Sequence, residues 1–150
     1  MDGAHAYIFE KRRVLQIDML THSHIDELAY EETYVSPDVL LLEQLDKLIN
    51  QQFRERKDPG FYASELACSE RWLSDLCKLY RGKTLFGLIQ DRVVKESKLL
   101  LRCSRLSAKV IAYELGFEDP AYFCRFFKKM TGNTTKAYRR SCYGTLTCKI

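Results

Sequence analysis

Apolar positions recur at helical spacing along most of the chain, and the one candidate for strand-like alternation lies within residues 6–17. Leu41, Leu45, Leu48, Ile49 and Phe53 follow i, i+4, i+7, i+8 and i+12, one face of a helix. Ser36-Pro37-Asp38 supplies its start: a capping residue, Pro at the first helical position and an acid in the first turn. The pattern predicts a helix from Asp38 to about Arg56, stopped by Lys57-Asp58-Pro59-Gly60. A short apolar segment, Phe61 to Leu66, precedes a turn at Ala67-Cys68. Ser69 then caps a helix from Glu70 to about Arg81, with Leu73, Leu76, Cys77 and Tyr80 inward and Gly82 as its stop. Thr84 caps a longer helix to about Leu101, with Leu85, Leu88, Ile89, Val93 and Leu100 on its inner face. Ser107 caps a short helix through Leu115. Asp119-Pro120 opens a helix to Thr131, ended by Gly132, and a last short helix covers Thr135 to Arg140.

Two of these units match each other. Tyr62-Ala63-Ser64-Glu65-Leu66 lies over Ile111-Ala112-Tyr113-Glu114-Leu115 at an offset of 49, with Ala, Glu and Leu coinciding. Glu118 is an extra residue in the second copy, and the offset becomes 50. Ser69 then aligns with Asp119, Trp72 with Tyr122, Lys78 with Lys128, Gly82 with Gly132 and Thr84 with Thr134. Each copy is a short helix, a tight turn and a longer capped helix, the outline of a helix-turn-helix. The repeat by itself also suits a helical hairpin used for packing or protein contact.

Charge adds a direction. Residues 98–150 hold eleven basic and three acidic residues, whereas residues 1–36 hold three basic and seven acidic ones. A basic C-terminal third points to a polyanionic partner. No run of apolar residues is long enough to cross a membrane, and the start of the chain lacks a signal-peptide pattern, so a cytoplasmic location is expected. The six cysteines include no C-x-x-C pair and read as free thiols. No metal, cofactor or catalytic role is expected. The three histidines, His5, His22 and His24, all fall in the first 36 residues, His22-x-His24 has no further ligand nearby, and no phosphate-binding loop or nucleophile elbow occurs.

The run Ile111-Ala112-Tyr113-Glu114-Leu115-Gly116-Phe117-Glu118-Asp119-Pro120-Ala121-Tyr122-Phe123, continued by Arg125-Phe126-Phe127-Lys128-Lys129, Gly132 and Tyr138-Arg139, resembles the C-terminal pattern of AraC/XylS transcription regulators. The resemblance covers about residues 38–140. It implies an all-α fold of seven helices, two helix-turn-helix units joined by a long linker helix, here Thr84–Leu101. It also implies that residues 70–81 and 120–131 enter successive major grooves on one face of double-stranded DNA, about 34 Å apart. RNA polymerase is implied as a second partner. Thr135 stands where the family usually has Pro, which implies a less rigid last turn. The division expected is an N-terminal arm or effector-domain remnant over 1–36, the DNA-binding domain over 37–142 and a tail over 143–150. A remnant of that length is not expected to bind a sugar-like effector.

For base contact the first recognition helix offers Arg71, Ser74, Asp75 and Lys78, and the second offers Ala121, Cys124 and Arg125. Arg bonds guanine edges in bidentate fashion, Asp accepts from cytosine, and Ala touches a thymine methyl. Asp75 is repelled by phosphate unless it pairs with Arg71 or Lys78 on its own helix. Arg125 carries over from the family pattern, and its internal alternative is an ion pair with Glu118. Phosphate contacts fall to Lys83, Thr84, Arg105, Ser107, Lys128, Lys129, Thr134 and Lys136, cations and N–H donors at element ends. Tyr122, Phe123, Phe126 and Phe127 are expected to pack rather than stack on bases. The repeat lets one chain span two half-sites, and homodimerisation is a further option. A competing reading is a truncated regulator that acts through protein–protein contacts without reading sequence.

Overall fold

The computed structural model describes residues 36–144, the last two for their backbone alone. All of the expected arm but Ser36, the alternating stretch within 6–17, His5, His22 and His24, and most of the 143–150 tail lie outside the described residues.

Seven helices and no strand occur among the described residues: α1 (Pro37–Gln52), α2 (Pro59–Glu65), α3 (Glu70–Arg81), α4 (Leu85–Cys103), α5 (Ala108–Glu114), α6 (Pro120–Thr131) and α7 (Thr135–Gly144). Local chemistry sets most of the boundaries. Ser69, Thr84 and Ser107 each accept a backbone N–H three residues on, from Trp72, Gly87 and Val110. Asp119 accepts from both Ala121 and Tyr122. Each such cap contributes about 1 kcal/mol by satisfying a donor that the helix leaves unpaired. Gly82 and Gly132 close α3 and α6 in the left-handed conformation, each N–H returning to the carbonyl of the lysine four residues back.

The repeat survives in three dimensions. α2 and α5 are related by 49 residues, and α3 and α6 by 50. A single core runs through both units, built on Leu45, Leu73, Leu85, Ile89, Ile111, Phe123 and Phe127, each under 2% exposed. The linker helix α4 supplies Leu85, Ile89, Val93, Val94 and Leu101 to it. Its 19 residues span about 28 Å at 1.5 Å per residue.

Several expectations shift. α1 ends at Gln52 and not near Arg56. Phe53 N–H still bonds Ile49 O and Arg56 N–H bonds Gln52 O, but the chain turns there to bury the Phe53 ring. Asp58 is a start as well as a stop: its carboxylate accepts from Phe61 N–H, and Pro59 opens α2. α4 runs two residues past Leu101, and α7 reaches Gly144. On α4, Leu88 and Leu100 are only partly buried, while Ser97 and most of Glu96 go inward. Ser97 donates to Val93 O at 2.7 Å. Glu96 is held by Arg54 at 2.9 Å and Arg92 at 3.0 Å. Tyr80 is 45% exposed, not inward, with its hydroxyl 3.4 Å from the Asp38 carboxylate.

The α1–α2 connection meets the second unit at a tight contact. Gly116, at φ +70°, follows α5, and a Cβ there would lie 1.8 Å from the Arg54 carbonyl oxygen. Lys57 Nζ bridges the same place, donating to Arg54 O at 2.8 Å and to Gly116 O at 3.1 Å. It also lies 4.9 Å from the centroid of the Phe117 ring. Burial pulls the Lys57 pKa down.

Candidate nucleic-acid interface

The longer helix of each unit buries one stripe and presents the other. On α3, Leu73, Leu76 and Cys77 go inward; on α6, Phe123, Phe126 and Phe127 do. Arg71, Asp75 and Lys78 are exposed on α3, as are Ala121, Arg125, Lys128 and Lys129 on α6. These are corresponding faces, because the offset of 50 sets Arg71 over Ala121, Asp75 over Arg125 and Lys78 over Lys128.

Ser74 and Cys124 occupy equivalent positions and behave alike. Both are half-buried and turn toward the start of the following helix, a departure from the outward placement expected of them. Ser74 Oγ accepts from Leu85 N–H at 3.4 Å, and Cys124 Sγ lies 4.0 Å from Thr135 Oγ1. Each residue lies next to the exposed stripe, but its small polar group reaches a neighbouring helix end. Thr135, where a Pro was the expected residue, is buried.

The two faces differ in electrostatics. Asp75 pairs with Lys78 at 2.9 Å on its own helix. The hydrogen bond and the charge of Lys78 hold the Asp75 carboxyl below the usual carboxylate range, with a smaller contribution from Arg71. α3 therefore offers a face whose charges largely cancel. Arg125 lies 3.4 Å from the Asp119 cap and not beside Glu118; both partners are more than half exposed. A pair in that setting is worth about 0–1 kcal/mol and gives way readily to an external anion.

The remaining expected residues lie at helix ends. Lys83, Thr84, Arg105, Ser107, Thr134 and Lys136 are all exposed. The hydroxyls of Thr84, Ser107 and Thr134 are engaged as caps, accepting from Gly87, Val110 and Ala137 N–H. Lys83 pairs with Asp91. Tyr122 packs its ring against Phe117, centroids 6.0 Å apart, as expected of a packing residue, while staying 56% exposed beside Ala121. With Phe86, Gln90, Phe117 and Lys57 it lines a small cavity of about 80 Å³ between α4 and the start of α6. The signal for Tyr122 was available: Phe123, Phe126 and Phe127 already fill the inner stripe, so Tyr122 falls on its flank. No signal announced Phe86, 48% exposed on α4 one residue after the buried Leu85.

Among the described residues no cluster of three or more His, Cys, Asp or Glu could hold a metal, and no helix is long and apolar enough to cross a membrane.

Residues 62–141 match a protein family described as a helix-turn-helix domain. The HTH-type transcriptional activator RhaR of Escherichia coli (strain K12) is 35% identical over 98 residues, covering 63% of this chain and 35% of RhaR. The arabinose operon regulatory protein of Salmonella typhimurium is 31% identical over 85 residues, covering 57% of this chain and 30% of that protein. The chain thus spans about a third of the length of these curated relatives. Among solved structures, the C-terminal domain of AraT, a response regulator from Geobacillus stearothermophilus, superposes with a TM-score of 0.64 at 25% identity. That match covers 72% of this chain and 88% of the AraT domain. With the duplicated units, the linker helix and the sequence pattern over residues 111–139 all in agreement, the chain belongs to the AraC/XylS family of helix-turn-helix transcription regulators.

Proposed function

We propose that this chain binds double-stranded DNA sequence-specifically, with α3 and α6 in successive major grooves. The observation that carries the reading is the duplication itself: two equivalent helices, capped and stopped alike, each with one face buried and the other free. Arg125 is the principal base-reading residue, bidentate to a guanine edge, with Ala121 against a thymine methyl. Arg71, Asp75 and Lys78 read the other half-site. Ser74 and Cys124 keep a place in the interface as small groups that let the helices approach closely. Lys83, Thr84, Arg105, Ser107, Lys128, Lys129, Thr134 and Lys136 position the backbone.

The charge contrast gives the halves different roles. The α6 face, with Arg125, Lys128 and Lys129, supplies most of the affinity. The α3 face, where Asp75 replaces the equivalent cation, supplies discrimination. One chain reaches both half-sites, so dimerisation adds affinity without being required. RNA polymerase is the proposed downstream partner.

In-vitro selection from random duplex DNA at two salt concentrations tests this. A two-part motif with half-sites about one helical turn apart is expected, weakened by about 1–3 kcal/mol in Arg125→Ala. Binding that is salt-sensitive but carries no motif would favour the protein-contact reading instead.

A further inference from the structure

A second cationic surface lies away from α3 and α6. A groove of about 420 Å³ is lined by Arg92, Lys95, Lys98, Leu99 and Arg102 of α4, with Tyr138 of α7, Asn50 of α1 and Glu96, whose carboxylate is already taken up by Arg54 and Arg92. No residue of α3 or α6 lines it. At 3.6 residues per turn, the Lys95, Lys98, Leu99 and Arg102 positions point about 150° round α4 from Phe86 and Gln90, which face the start of α6.

The groove has one wall held by ion pairs and one whose cations meet no carboxylate among the described residues, Arg102 there bonding the Cys103 side chain. Arg92 is pinned: its Nε donates to Asn50 Oδ1 at 2.7 Å, Nη1 to Glu96 at 3.0 Å, and its guanidinium lies 4.0 Å from the Phe53 ring centroid. Lys95, Lys98 and Arg102 are exposed and have no acidic partner among the described residues. They follow one another at i, i+3 and i+7, a line about 10 Å long. Leu99, 44% exposed, lies among them, and the half-buried Tyr138 borders them.

We propose that this groove docks an acidic, leucine-bearing helical segment of a partner protein, through Lys95, Lys98 and Arg102 around Leu99. Carboxylates at the same i, i+3, i+7 spacing meet the three cations, and an apolar side chain covers Leu99. The apolar element selects protein over the other available polyanion, because a sugar-phosphate backbone gains nothing from covering Leu99. The surface is independent of α3 and α6, so a regulator seated on DNA keeps it open to a second macromolecule.

The test uses the full chain and a fluorescein-labelled helix-forming peptide with Glu at i, i+3 and i+7 and Leu at i+4, read by fluorescence anisotropy. Wild type is expected to bind it more tightly than the same peptide with Gln for Glu. The triple variant Lys95→Glu/Lys98→Glu/Arg102→Glu is expected to lose about tenfold or more. Leu99→Ser weakens binding of the Leu peptide but not of one carrying Ser there. Affinity for the selected duplex stays unchanged in Leu99→Ser and falls by less than the peptide affinity in the triple variant, whose overall charge is lower, and circular dichroism checks their helix content. Should the triple Glu variant not fold, the triple Gln variant replaces it and is expected to show a smaller loss in the same direction. Equal binding of the Glu and Gln peptides, or an unchanged triple variant, overturns the proposal. So does a parallel loss of duplex affinity, which would assign the groove to DNA. Failure to select any DNA motif leaves the peptide result standing, so the two readings fail separately.

Discussion

Replacing Gly116 by Ala tests the contact between the α1–α2 connection and the turn of the second helix-turn-helix unit. Three glycines, Gly82, Gly116 and Gly132, have φ between +69° and +76°. Placing a Cβ in that region costs about 1–2 kcal/mol at any of them. At Gly82 and Gly132 the new methyl meets nothing within 4 Å. At Gly116 it lands 1.8 Å from the Arg54 carbonyl oxygen and 3.0 Å from Lys57 Nζ. An ordinary C···O contact is about 3.3 Å, so the loop must retreat by roughly 1.5 Å. That movement strains the surrounding packing, at about 1–3 kcal/mol, and opens the Lys57 bridge, whose charge-assisted hydrogen bonds are worth about 1.5 kcal/mol or more. Gly116→Ala should therefore cost about 3–5 kcal/mol, and Gly82→Ala or Gly132→Ala about 1 kcal/mol. Urea unfolding followed by circular dichroism, with the fluorescence of Trp72 as a second probe, reads the difference. The preceding unit has Ala67 at the matching place, φ +51°, so Ala67→Gly removes strain and adds unfolded-state entropy, for a net change within about 1 kcal/mol. A Gly116→Ala cost no larger than that of Gly132→Ala would falsify the steric argument and leave this contact without energetic weight.

Further outcomes follow from the charges. Asp75→Arg gives α3 the cation that α6 carries at Arg125; duplex affinity should rise and the slope of log K against log salt should steepen by about one unit, measured by anisotropy titration. For Glu96, burial raises the pKa but the hydrogen bonds and charges of Arg92 and Arg54 outweigh it, so the folded pKa lies below the unfolded one. The resulting stability is present above the unfolded pKa and is lost as pH falls through the folded one. Urea midpoints should show an acid limb below about pH 4.5, shallower in Glu96→Gln; equal limbs would contradict the assignment. Arg139 donates to Leu101 O in the last turn of α4 and to Leu106 O in the connection to α5, so Arg139→Ala should lower stability by about 1.5–3 kcal/mol in thermal melts.

The local part of this architecture was readable in the residues. Ser69, Thr84, Ser107 and Asp119 are caps whose chemistry acts within three residues, and the bounds of α3 and α6 followed from them with their glycine stops. The end of α1 was not readable, because Phe53 continues the helical periodicity while the chain itself turns away. Side-chain direction at stripe edges was equally hidden. Ser74 and Cys124 turn inward because an adjoining helix end lies within reach, and Tyr122 turns outward because three phenylalanines already fill the interior. The partner of Arg125 was misjudged by one residue: Asp119, already fixed as a cap, lies nearer than Glu118. The approach of Arg54 to Gly116 spans more than sixty residues of sequence, and no pattern in either segment announces it.

On the proposed DNA-binding reading, that approach would also limit what the protein can tolerate in its target. If α3 and α6 read DNA as proposed, the α1–α2 connection wedged against the turn before α6 and clamped by Lys57 would make them a caliper with a fixed gap rather than two heads on a tether. Five base pairs inserted between half-sites rotate one of them by about half a turn, to the far side of the duplex, where a locked caliper cannot follow. Promoter variants would then diverge in the letters of each half-site long before they diverge in the distance between them.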